Sequence, residues 1–119
     1  MVHHHANYLR LHRRQRGLTQ EELAYLLGYQ SGAKISRLEQ IEPAQVLSLG
    51  FAFELLFGVD AREIYPALYE AVRETVVQRI RELEARLQTA RPTQKTVIKR
   101  RLLEEALARA ERLITEPRV

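Results

Sequence analysis

The 119-residue sequence predicts an all-α protein. Three observations carry that expectation. No segment shows the apolar–polar alternation of a half-buried strand. The first 68 residues divide into short amphipathic segments punctuated by Gly17, Gly28 and Gly58. The remainder carries two long apolar stripes at helical spacing, separated by Pro92.

The elements follow in order. Tyr8, Leu9, Leu11 and His12 open an amphipathic helix that ends at Gly17. Thr19 is a good N-cap, and Glu22 three residues later completes a capping box. The helix it opens runs through Leu23, Ala24, Leu26 and Leu27, and Gly28 stops it. Ile35 and Leu38 mark a third short helix. Pro43 suits the first turn of a fourth, which carries the apolar run Val46–Phe57 and ends at Gly58. Asp60 with Glu63 is a further N-terminal signal, after which Ile64, Tyr65 and Leu68 need buried partners. From Pro66 the character changes. Tyr69, Val72, Val76, Ile80, Leu83, Leu87 and Ala90 make one narrow stripe, like a coiled-coil seam with a stutter. Pro92 breaks the chain. Thr93 opens a second stripe through Val97, Ile98, Leu102, Leu103, Ala106, Leu107, Ala110, Leu113 and Ile114. So short a break between long helices predicts an antiparallel hairpin.

Composition narrows the function classes. The chain has 19 Lys plus Arg against 15 Asp plus Glu, and no cysteine. That removes disulfides, thiolate metal sites and cysteine nucleophiles. No apolar run approaches the roughly 18 residues of a membrane span, and no early apolar block reads as a signal peptide. A soluble, cytoplasmic chain is expected. Its basic character is local, at Arg10–Arg16 and at Arg91–Arg101, and no acid falls between Glu84 and Glu104. Either cluster suits phosphate, and either also suits a solvated helix face. His3, His4 and His5 read as a native tail or a tag remnant, since adjacent residues do not converge on one metal ion.

Residues 18–39, LTQEELAYLLGYQSGAKISRLE, carry the information. Leu23 and Ala24 face the core of a helix pair, and Ala24 is small where the second helix crosses. Gly28 makes the turn, while Ile35 and Leu38 seat the second helix. Such a helix-turn-helix can lay its second helix in the DNA major groove. Residues 8–68 resemble the Xre-like regulators, the Cro and phage-repressor type. The matching residues are Arg13, Gly17, Leu18, Thr19, Gln20, Glu22, Leu23, Ala24, Gly28, Ile35, Ser36, Leu38 and Glu39. FGVDAREIYP resembles the family's fourth-to-fifth helix junction. The resemblance implies a five-helix repressor-type domain that binds double-stranded DNA, usually as a homodimer on a palindromic operator. Here the long two-helix hairpin follows it. The expected organisation is a flexible tail over 1–6, the helix-turn-helix domain over 7–68, and the hairpin over 69–119 as a candidate dimerisation element.

The resemblance also implies roles. Gln20, at the start of the second helix, would hydrogen-bond a phosphate. Arg13 and Glu39 would form a structural ion pair between the first and third helices. Arg10, Arg14 and Arg16 are phosphate candidates, although solubility explains them nearly as well. The recognition helix is expected to begin near Gln30 or Ser31, with Gln30, Ser31, Lys34 and Arg37 as base readers. Arg and Lys donate to guanine O6 and N7, and Gln pairs with adenine.

Three departures bear on that reading. The segment between Gly28 and Ile35 is one residue longer than the common family spacing. Gly32 and Ala33 stand where long polar side chains are usual. Ile41 and Glu42 replace an expected basic loop before Pro43. The DNA face is therefore poorer in anchors, which favours dimerisation. In the hairpin, one helix can cover the other, and the surplus apolar edge is expected on residues 46–68 or on a second subunit. Arg91–Arg101 at its bend suits flanking DNA, an acidic partner or a solvated tip. Catalytic readings lack parts. There is no phosphate-cradling glycine loop and no metal-ligand spacing, and Ser31, Ser36 and Ser48 have no base placed by a motif. The expected function is a DNA-binding transcriptional repressor without cofactor, metal or enzymatic activity. The alternative is a protein-interaction module in which the helix-turn-helix is scaffold and the hairpin binds a partner protein.

Overall fold

The computed structural model describes residues 8–40 and 45–115. Among them are seven helices and no strand, so the all-α expectation holds. The helices are α1 (Leu9–Gln15), α2 (Gln20–Leu27), α3 (Ala33–Gln40), α4 (Gln45–Phe57), α5 (Ala61–Ile64), α6 (Pro66–Gln88) and α7 (Gln94–Thr115). His3–His5, Ile41, Glu42 and Pro43 lie outside the described residues, as do the side chains of Val46, Leu113 and Ile114.

Local chemistry sets the boundaries. Thr19 Oγ1 accepts the Glu22 N–H at 3.0 Å, and Glu22 Oε1 accepts the Thr19 N–H at 2.9 Å. This reciprocal pair satisfies two donors that α2 would otherwise leave open. At the other end Gly28 takes φ +84°. The Tyr29 N–H then reaches the Ala24 carbonyl at 2.8 Å and the Gly28 N–H reaches Tyr25 at 3.1 Å, a Schellman stop. Asp60 Oδ1 caps α5 at the Arg62 N–H. Pro66 sits in the first turn of α6, where its missing N–H costs nothing. Thr93 Oγ1 accepts the Thr96 N–H and opens α7.

The start of α3 differs from expectation. The helix begins at Ala33, and Gln30 and Ser31 lie in the preceding turn. The cause is Gly32. Its N–H donates to Glu21 Oε1 at 2.9 Å, and its carbonyl accepts the Ser36 N–H. A Cβ there would stand 2.5 Å from the same Glu21 oxygen and 3.1 Å from the Gln20 carbonyl carbon, so a larger residue would displace the Glu21 carboxylate from this bond. The extra residue is absorbed in the turn.

The hairpin is antiparallel as expected. Arg73 Nε near the start of α6 lies 3.5 Å from the Ala110 carbonyl near the end of α7. The apolar edge packs chiefly on α2, which the sequence did not single out, and α6 also meets α5 within residues 46–68. Leu18, Leu26, Ile80, Leu83, Leu87 and Leu103 form one buried cluster drawn from the α1–α2 turn, α2, α6 and α7. Polar ties surround it. The Tyr25 hydroxyl donates to Glu82. The Arg79 and Arg86 guanidiniums lie 4.8 and 4.5 Å from the Tyr25 ring centroid, a cation–π arrangement. Lys99 Nζ meets Glu22 Oε2 at 2.9 Å. Conversely, α4 packs against α5 and stays largely uncovered, and Tyr65, Leu68 and Val72 are also exposed.

Leu103 is 1% exposed at the centre of the shared cluster. Leu103→Ala is expected to cost about 3 kcal/mol in urea unfolding. Helix loss by circular dichroism and the change in Tyr25 environment by tyrosine fluorescence are expected to coincide in one transition. Two separated transitions would contradict a core shared by the hairpin and α2.

Candidate nucleic-acid interface

The third helix is held from behind by a charged knot. Arg13 Nε donates to Glu39 Oε2 at 2.6 Å and its Nη2 to Oε1 at 3.3 Å, a two-pronged pair. Its Nη1 donates to the Leu18 carbonyl at 2.8 Å. Gln20 Nε2 adds a bond to Glu39 Oε1 at 3.1 Å. The side chains of Arg13 and Glu39 are 10% and 4% exposed, so water screens the pair little. The α1–α3 ion pair expected from the sequence is therefore present. Glu39 has its carboxyl held below the ordinary carboxylate range, chiefly by the Arg13 hydrogen bond. Burial opposes that effect, while Gln20 and the charges of Arg13 and Arg10 reinforce it.

Ile35 on α3 and Ala24 on α2 are both buried where these helices pack. That packing turns the opposite side of α3 outward. Lys34 and Arg37 are exposed and three residues apart, so they share one face. Gln30 and Ser31 are exposed in the turn before them. Lys34 Nζ rests 4.5 Å from the Tyr29 ring centroid. Arg10 and Arg14 are exposed on α1. Arg16 turns back on its own helix, where Nη1 donates to the His12 carbonyl at 3.0 Å.

The sequence-derived residues thus fall into two places. Gln30, Ser31, Lys34 and Arg37 belong to α3 and its approach. Arg14 and Gln20 line an open cleft at the α1–α2 junction, together with Ser36 and Gln40. Gln20 enters it with its amide committed to Glu39. Two contributors went unread in the sequence. Glu21 fixes the turn through Gly32, and the signal available was a lone glycine just before a helix. Tyr29 supports Lys34 from five residues upstream, a spacing that no helical rule marks.

Among the described residues no group of three or more His, Asp and Glu side chains is placed to hold a metal ion. No helix among them is long and apolar enough to cross a membrane. Residues 6–45 match the family model of a helix-turn-helix domain, which points to a DNA-binding regulator in general terms. No curated protein and no solved structure matches the chain.

The Glu39 environment has a pH consequence. A carboxylate with a depressed folded pKa adds stability above its ordinary pKa, and that stability is lost as pH falls through the depressed value. Glu39→Gln is expected to lower stability by about 2 kcal/mol near neutral pH. The gap to the wild type is expected to close as melts are taken into acid, because protonating Glu39 removes the same charged pairing. A gap constant across the acid range would contradict this.

Proposed function

We propose that the chain is a sequence-specific DNA-binding transcriptional regulator of the Xre-like type. It acts as a homodimer and represses by occupying promoter DNA. The carrying observation is the outward face of α3, with Lys34 and Arg37 on a helix braced by Arg13, Glu39 and Gln20. In this reading α3 lies in the major groove and Arg37 donates to guanine O6 and N7. Gln30 and Ser31 reach bases or phosphates from the turn, and Lys34 swings off Tyr29 to do the same. Arg14 holds the backbone. Gln20 takes a smaller part than the family implies, because Glu39 competes for its amide.

The homodimer is supported by α4. Leu47, Leu49, Phe51, Leu55, Leu56 and Phe57 are 45–89% exposed on a helix whose one charged residue is Glu54. A helix apolar on every side is normally enclosed. Tyr65 before α6, and Leu68 and Val72 on it, are further exposed apolar residues. A second copy offers the same surface, which a two-fold interface requires. The rival reading, a protein-interaction module, draws on the same face. On the hairpin, Ile80, Leu83, Leu87 and Leu103 are buried in the cluster with α2, while Val97 and Ile98 stay exposed.

Fluorescence anisotropy against DNA from upstream of the gene and against a shuffled duplex tests the reading. Tight binding to the upstream duplex, two chains per site, is expected, and it weakens as salt rises. Arg37→Ala is expected to lose about 1–3 kcal/mol on the specific duplex and little on the shuffled one, while Arg14→Ala weakens both alike. Leu55→Glu, at the most exposed apolar position of α4, is expected to abolish the two-chain stoichiometry. Equal weak binding to both duplexes would favour the interaction module.

A further inference from the structure

We propose that the start of α7 belongs to the DNA-contacting surface, with Lys95 binding a backbone phosphate beside Arg10 and Arg14. The inference rests on the DNA-binding reading above and extends it to the hairpin. An open cleft lies where α1, the first turn of α2, the end of α3 and the first turns of α7 meet. Arg10 and Arg14 stand on its α1 wall, and Lys95 and Lys99 on its α7 wall. The α1–α2 turn lies against the start of α7. A Cβ on Gly17 would stand 3.4 Å from the Lys95 carbonyl oxygen and 3.6 Å from Lys99 Cγ. Docking of the hairpin on α2 therefore brings the far end of the chain to the helix-turn-helix.

The pairing of charges decides which groups a ligand meets. Glu39 takes Arg13, and Glu22 takes Lys99. Glu21, the other acid lining the cleft, gives one carboxylate oxygen to the Gly32 N–H. Arg10, Arg14 and Lys95 are exposed. These cations stand on two walls of an open cleft. That arrangement suits a chain of phosphodiesters better than one small phosphate. The cleft also reaches Ser36 and Gln40 on α3. A duplex with α3 in its groove would carry its backbone past those residues towards Lys95. Such a contact fixes register and adds affinity without reading sequence.

The test is anisotropy with the full chain at several salt concentrations, using the upstream and shuffled duplexes. Lys95→Ala is compared with Arg109→Ala, which removes an exposed charge further along α7 and away from the cleft. Lys95→Ala is expected to reduce the salt slope by about one and to weaken both duplexes by the same factor. Arg109→Ala is expected to leave the slope unchanged. A Lys95→Ala slope equal to that of the wild type would overturn the proposal while leaving DNA binding intact. Failure of the wild type to bind either duplex at low salt would overturn the DNA-binding reading, and Lys95 with it. Thermal melts with inorganic phosphate at matched ionic strength form the third arm. No stabilisation is expected there. Stabilisation lost in Lys95→Ala would assign the cleft to a small phosphate ligand and overturn the proposal.

Discussion

Everything in the packed half of this molecule leans on α2, an eight-residue helix. A helix that short is marginal alone in water, because few hydrogen bonds offset its nucleation. It persists by being closed at both ends and covered on two sides. Thr19 and Glu22 close its start, and Gly28 closes its end. Ala24 is buried towards the packing with α3, and Leu26 joins the cluster built by α6 and α7. Glu22 serves both tasks at once, with one oxygen on the Thr19 N–H and the other on Lys99. The hairpin is thus part of what makes the helix-turn-helix rigid, and the orientation of α3 inherits that rigidity.

The same economy shapes the electrostatics. The acids of α2 and α3 all face inward or along the turns. Glu21 holds Gly32, Glu22 holds the cap and Lys99, and Glu39 holds Arg13 and Gln20. On α6, Glu82 accepts from Tyr25, which holds its carboxyl below the ordinary range. With the acids engaged in hydrogen bonds and ion pairs, the exposed cations around α3 and the α1–α2 turn include Arg10, Arg14, Arg16, Lys34, Arg37 and Lys95. A formal net charge of only +4 for the whole chain becomes a concentrated positive surface by placement. In the proposed reading that placement replaces the basic loop that Ile41 and Glu42 deny.

Much of this was legible in the sequence, and the remainder failed for physical reasons. Caps and stops are local, so Thr19, Glu22, Gly28, Asp60 and Pro92 could be read directly. The Arg13–Glu39 pair came from resemblance, since no local rule joins residues that far apart. An apolar stripe says that a partner exists without saying which, so the docking of α6 on α2 is not written in the stripe itself. Arg79, Glu82 and Arg86 lie on one face at helical spacing, yet nothing local aims that face at Tyr25. The start of α3 is not legible locally, because Gly32 is set by a contact with Glu21, eleven residues away. The exposure of α4 ran against expectation, since Val46–Phe57 reads as core in any local window.

The central claim is that α3, braced by α1 and by a hairpin-supported α2, is the surface that meets DNA. Amide chemical-shift mapping of the full chain during titration with upstream duplex tests it most directly. The largest changes are expected at Gln30, Ser31, Lys34 and Arg37, with smaller ones around the α1–α2 turn and almost none along α4. Changes confined to α4, or spread evenly over the exposed cations of α6 and α7 with α3 silent, would contradict it.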